Sequence, residues 1–121
     1  MRGGEDVAED CIFCKIASKE IPSDIVYEDD TVIAFKDINP QAPTHFVLIP
    51  KKHIATVLSL THEDQELIGH MFLVAASLAR EQQIAQDGFR VVTNCNKDGG
   101  QTVFHLHMHL LGGRSLTWPP G

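Results

Sequence analysis

Three histidines at alternate positions, His105, His107 and His109, stand between the glycine pairs Gly99-Gly100 and Gly112-Gly113. In an extended strand successive side chains leave on opposite faces, so these three imidazoles would share one face while Leu106, Met108 and Leu110 share the other. At ~3.4 Å of rise per residue, neighbours in the row stand roughly 7 Å apart, near enough for two of them to address one phosphate or one metal. A helix would set them about 200° apart, and the flanking glycines also argue against one. A strand that only needed polar positions would use Thr, Lys or Glu. The row therefore points to a nucleophile, an acid/base pair or a set of metal ligands.

A second chemical pattern is Cys11-Ile12-Phe13-Cys14. Such a pair serves as a redox dithiol, as half of a zinc site, or as two small buried apolar residues. The redox reading is weakest, because no strand precedes the pair. Zinc needs two further ligands and the chain has no second CxxC, so histidines must supply them. His45 and His105, on strands that could be neighbours, are the candidates.

The elements that must position these groups follow from pattern. The chain of 121 residues, 43% hydrophobic with 9 glycines, suits one globular domain over 11–121. It follows an acidic segment, 1–10, expected to be disordered. A short helix is expected through Lys19, then a hairpin of 25–28 and 31–35 around Asp29-Asp30, and a third strand from His45 to Pro50. A capping Thr61 with early acids opens a long helix, with Leu67, Met71, Val74, Ala75 and Leu78 at helical spacing and an end near Asp87-Gly88. Strands over 89–94 and the histidine segment close the chain, separated by a polar glycine loop from Cys95 to Gln101. This order predicts an α+β fold, a five-stranded antiparallel sheet with one long and one short helix on one face. The net charge of −6 argues against a nucleic-acid surface, and no run reaches transmembrane length. With three cysteines, an odd number, a reducing cytoplasmic setting is expected, the nucleus being a second compartment of the same kind.

The segment His105-Leu106-His107-Met108-His109-Leu110-Leu111 resembles the histidine-triad pattern. So do Tyr27-Glu28-Asp29-Asp30, Pro40-Gln41-Ala42-Pro43-Thr44-His45-Phe46, Ile49-Pro50-Lys51-Lys52-His53 and Trp118-Pro119-Pro120-Gly121, in the same order. The chain is thus similar to the histidine-triad nucleotide-binding proteins. Gly112-Gly113-Arg114 stands where the related dinucleotide hydrolases and nucleotidylyltransferases carry glutamine, which favours the phosphoramidase branch. The resemblance implies a purine nucleoside phosphoramidase working through a covalent nucleotidyl-histidine, with purine nucleotides and nucleoside phosphoramidates as ligands. In that reading His107 is the nucleophile, His109 a phosphate contact and proton donor, and Thr102 with the Gly100-Gln101 backbone an oxyanion-holding loop. Asn94 contacts the ribose-phosphate and Asp37 takes the ribose hydroxyls. Ile12, Phe13, Ile16, Phe35 and Ile38 clamp the base, with Lys36 at the rim. No cofactor is required for the chemistry; by the same resemblance His45 and His105 join Cys11 and Cys14 around a structural zinc.

Two other function classes compete: a zinc-dependent hydrolase built on strand histidines, and a nucleotide-binding or scaffolding protein with little turnover. The resemblance also implies a homodimer. Trp118 followed by two prolines cannot continue a helix or central strand and is costly to leave in water, so the terminal segment is expected to lie across a partner.

Overall fold

The computed structural model describes residues 10–121; the expected acidic segment lies outside the described residues except for Asp10. The first helix, α1 (Ile12–Ala17), opens at Cys11, whose Sγ accepts the Cys14 amide at 3.3 Å, so half of the CxxC pair caps the helix that carries the other half. A left-handed Lys19 (φ 69°) ends it. The hairpin strands are β1 (Ile25–Glu28) and β2 (Val32–Lys36), joined by a turn in which Asp29 Oδ1 accepts the amides of Thr31 and Val32, both at 2.9 Å. The third strand, β3 (Thr44–Pro50), is buried along its whole length.

The long helix, α2 (Gln65–Glu81), is shorter than its sequence pattern suggests. Thr61 and Asp64 cap each other reciprocally around a 3-10 turn that precedes it, and Gln83 in the left-handed region (φ 60°) follows its end. One edge strand is β1 and the other is β4 (Phe89–Val92). A four-residue helix, α3 (Asn96–Gly99), occupies the loop expected between the last two strands, and β5 (Met108–Gly112) completes the sheet.

The order is β1-β2-β3-β5-β4, every neighbour antiparallel. Five antiparallel strands with a long helix match the expectation, but the helices do not share a face. Val32, Ala34, Phe46 and Leu48 pack with Leu106, Met108 and Leu110 under Met71, Val74, Ala75 and Leu78 of α2. The alternate residues Ile33, Phe35, Val47 and Ile49 pack under Ile16 and Phe13 of α1. The reason is visible in β2 and β3, whose apolar residues occupy both parities, so each face of the sheet requires a cover.

The fifth strand also starts later than expected. Its ladder begins at Met108, and Leu106 N–H donates to the Ile54 carbonyl at 2.6 Å instead of to a strand. The alternation survives this: Leu106, Met108 and Leu110 all enter the α2-side core. At the far end, Gly113 has φ +93°, and a Cβ there would sit 2.8 Å from Pro43 Cβ, so both conformation and space require glycine.

Candidate active site and metal cage

The register places His45 and His109 on the α1 face. His109 stands opposite Val47, His45 opposite Leu111, and the Asp37 amide donates to the His45 carbonyl at 3.0 Å, bringing Asp37 beside them. His107 lies just before β5, its Nδ1 2.7 Å from the carbonyl of His105. A carbonyl only accepts, so Nδ1 carries the proton and Nε2 keeps its lone pair. The Thr93 hydroxyl donates to the His107 carbonyl, holding this residue from the β4 side after the ladder has ended. Phe13 meets the His107 ring edge to face, with centroids 4.9 Å apart, and His109 stands beside it at 5.0 Å.

A second tautomer follows by the same logic. The Gln41 amide donates to His45 Nδ1 at 3.0 Å, which leaves the His45 proton on Nε2. That N–H faces His109 Nδ1 at 2.8 Å and Asp37 Oδ2 at 3.4 Å. His109 accepts at Nδ1 and therefore holds its own proton at Nε2. The chain Gln41 N–H to His45 to His109 runs head to tail, each ring accepting on one side and donating on the other. Burial pushes His107 and His45 below the ordinary imidazole value. It takes His109 to about 4, where the neighbouring imidazoles of His107 and His45 add to the depression and Asp37 opposes it. All three rings are neutral near pH 7.

The CxxC pair forms a separate cluster, and here one expectation is corrected. The residues gathered are Cys11, Cys14, His53 and His105, not His45. His105 lies at the Pro50 end of β3, its Nε2 2.8 Å from the Pro50 carbonyl, whereas His45 sits at the opposite end of the same strand, roughly 17 Å away at strand rise. His53, three residues past Pro50, is therefore the histidine within reach. Its sequence signal was the proximity to that strand end, which only the antiparallel register converts into proximity to His105.

The geometry of this cluster suits zinc. His105 donates from Nε2, so its Nδ1 lone pair points at Cys11 Sγ (3.3 Å), Cys14 Sγ (3.5 Å) and His53 Nδ1 (3.3 Å), while His53 Nδ1 is 3.3 Å from Cys14 Sγ. A tetrahedron with Zn–S near 2.3 Å and Zn–N near 2.05 Å has edges of about 3.4 Å between nitrogens and about 3.6 Å between sulfur and nitrogen. Burial and the adjacent imidazoles depress His105 to about 4, keeping it neutral and able to ligate, and the Pro50 carbonyl fixes which nitrogen does so.

Asp37, His45 and His109 also converge closely enough to hold an ion. Their hydrogen bonds do not fit one, since the Gln41 amide already occupies His45 Nδ1 and keeps Nε2, the atom facing the cluster, protonated.

Other expected residues divide. Phe13 and Phe35 pack together and Ile16 is buried beside them, whereas Ile12 and Ile38 are exposed. Lys36 leaves β2 opposite in parity to Phe35 and Asp37, and its Nζ lies 3.6 Å from Asp24, so its side chain turns from the histidine row. Gln101 folds its own loop: its amide donates to the Ala55 and Val103 carbonyls and its oxygen accepts the Asn96 amide. Gly100 (φ 82°) caps α3, Asn94 is half-buried beside Gly99, and Thr102 is exposed on a groove shared with Cys11 and His53.

Comparison with known proteins shows the family. The family model described as scavenger mRNA decapping enzyme C-terminal binding matches residues 10–117. A purine nucleoside phosphoramidase of Escherichia coli is 54% identical over 110 residues, 91% of this chain and 92% of that protein. An uncharacterized HIT-like protein of Synechococcus elongatus is also 54% identical, over 95% of this chain and all of its own length. The crystal structure of a HIT family hydrolase from Legionella pneumophila superposes with a TM-score of 0.92 at 52% identity, covering 93% of this chain and 100% of that one. With nearly the whole length matched, the chain belongs to the histidine-triad (HIT) family.

Proposed function

We propose that this protein is a purine nucleoside phosphoramidase, hydrolysing the P–N bond of nucleoside 5′-phosphoramidates through a nucleotidyl-histidine. The observation that carries the reading is the His107 tautomer: with Nδ1–H tied to the His105 carbonyl, a neutral Nε2 lone pair is presented among buried partners. Nε2 attacks the α-phosphorus, and the P–N bond breaks with its electron pair going to the amine. The amine leaves only if protonated: its nitrogen takes one proton from solvent as the P–N bond breaks, while His109, neutral with its proton on Nε2, keeps that proton and donates a hydrogen bond to the phosphoryl group. Water then attacks phosphorus, its hydroxyl completes the monophosphate, its other proton returns to solvent, and His107 leaves as the neutral imidazole with its proton on Nδ1.

Asp37 takes the ribose hydroxyls, Phe13 and Phe35 bound the base, and Thr102 with the Gly100-Gln101 backbone meets the phosphate. Cys11, Cys14, His53 and His105 would hold a zinc ion, which would supply structural cross-linking through four protein donors. A homodimer is supported by exposed Phe72 and Leu73 on the outer face of α2, by the unpaired edge of β4, and by Trp118, 81% exposed at the end of a tail tethered through Arg90 to the Leu116 and Thr117 carbonyls. Sedimentation at micromolar concentration should show two copies, and deleting 116–121 should alter leaving-group preference more than nucleotide affinity. A cytoplasmic setting is supported by three cysteines that form no disulfide with one another; no helix among the described residues is long and apolar enough to cross a membrane.

Single-turnover reaction with an adenosine phosphoramidate, followed by mass analysis of the protein, tests the reading. An adenylyl adduct lost in His107→Ala is expected. Turnover without an adduct points to a metal-activated water, and nucleotide exchange without product points to a binding protein.

A further inference from the structure

The cage and the nucleophile are joined through two residues. His105 is held at both ring nitrogens, Nε2 by the Pro50 carbonyl and Nδ1 within the ligand cluster, and its backbone carbonyl is the acceptor that sets the His107 tautomer. Phe13, between the two cysteines on α1, touches both rings, with centroids 6.0 Å from His105 and 4.9 Å from His107. Neither link passes through solvent: His105 is fully buried and His107 nearly so.

The cluster is nonetheless reachable from outside. Cys11 and His53 line a surface groove of about 490 Å³, with Thr102 on its wall. An ion can enter or leave by that side without opening the core.

We propose that the Cys11/Cys14/His53/His105 cage positions the nucleophile, so that zinc occupancy decides whether His107 is held in its Nδ1–H form with Nε2 presented. The proposal rests on His107 being the attacking residue. With the cage closed, His105 cannot rotate and α1 cannot withdraw Phe13, so the His107 ring keeps one orientation. With it open, two cysteines and two histidines lose their common centre, and the side chain of the residue whose carbonyl selects the tautomer is held at Nε2 alone. With all four positions filled by protein donors, the ion would offer none to the substrate, and the effect falls on kcat rather than on KM. His53 acts here as a positioning residue, because it contacts Cys14 and His105 and no residue of the reactive row.

The test compares zinc-loaded protein, the same protein stripped by a chelator, His53→Gln, and His53→Cys reloaded with zinc, which restores a four-donor set. Long-range proton–nitrogen spectra at a fixed pH near 7.5 read the His107 tautomer without substrate, and phosphoramidate turnover is measured in parallel. Loaded wild type and reloaded His53→Cys should show a single Nδ1–H tautomer; stripped wild type and His53→Gln should show a tautomer mixture and about a tenfold lower kcat at nearly constant KM. Identical His107 spectra in all four would overturn the proposal, as would a loss in His53→Gln that reloaded His53→Cys does not recover. If both zinc-free proteins lose the amide spectrum of a folded chain, the cage is a condition of folding and the proposal fails. Because the spectra need no substrate, a tautomer change in a protein inert to phosphoramidates supports the coupling while refuting the activity.

Discussion

The two histidine clusters use the same side chain in opposite ways. In the cage, His53 and His105 direct lone pairs to a common centre shared with two thiols. In the reactive row, His45 and His109 are linked donor to acceptor, and His107 turns its proton away towards a carbonyl. Burial keeps rings of both clusters neutral, so protonation state does not distinguish them. The difference lies in what occupies the other nitrogen. A backbone carbonyl on His105 Nε2 frees Nδ1 to ligate, whereas a backbone amide on His45 Nδ1 forces the proton to Nε2 and excludes an ion. Backbone groups that do no chemistry thus fit one cluster to a metal and the other to the proposed proton and phosphoryl transfer.

The comparison breaks most severely if the nucleophile is misplaced. His107→Ala should leave nucleotide binding nearly intact while lowering kcat by about 10³-fold or more; a variant keeping a tenth of wild-type kcat would remove His107 from its role. His45→Ala comes next, since it deletes the donor that fixes His109, and a drop of about 10²-fold in kcat is expected with zinc content unchanged. If His45→Ala instead released zinc, the assignment of the two clusters would be reversed. Asp37→Ala should raise KM for a ribonucleotide by about tenfold, the scale of a lost charge-assisted hydrogen bond, and much less for a deoxy analogue. Equal penalties on the two substrates would end the ribose role.

The cage responds in stability instead. Cys11→Ser with Cys14→Ser should release zinc and lower the melting temperature by on the order of 10 °C, while retaining measurable turnover. Metal analysis of freshly purified, unchelated protein finding no zinc would refute the cage.

The smallest effect expected is that of pH between 8 and 6.5. His107 is proposed to act unprotonated, and burial holds it below the ordinary imidazole value, so activity should stay nearly flat as pH falls from 8 and decline as pH drops through that lowered value. Stability follows the same sign: the unfolded chain binds a proton near 6.5 and folded His109 only near 4, so its contribution is complete above 6.5 and is lost between those values on acidification. A half-maximal activity at or above pH 6.5 would contradict the buried, neutral nucleophile.

What the sequence determined by itself was the local pattern. Alternating Leu106, Met108 and Leu110 against His105, His107 and His109 fixes which side chains face the core, because period two holds for any extended backbone, even where the ladder has not begun. The capped start of α2 and the Asp29 turn were legible for the same local reason. The tertiary structure decided what no local rule reaches. It placed α1 and α2 on opposite faces, because β2 and β3 are apolar at both parities and each face needs a cover. It also assigned the histidines: β3 is antiparallel to β5, so its two ends meet different parts of the triad segment. His45 at one end faces His109, while Pro50 at the other faces His105 and brings His53 to the cysteines. Strand register, a relation between segments some sixty residues apart in sequence, sorts five of the seven chemically identical imidazoles into two clusters, the proposed ligands in one and the proposed relay and nucleophile in the other.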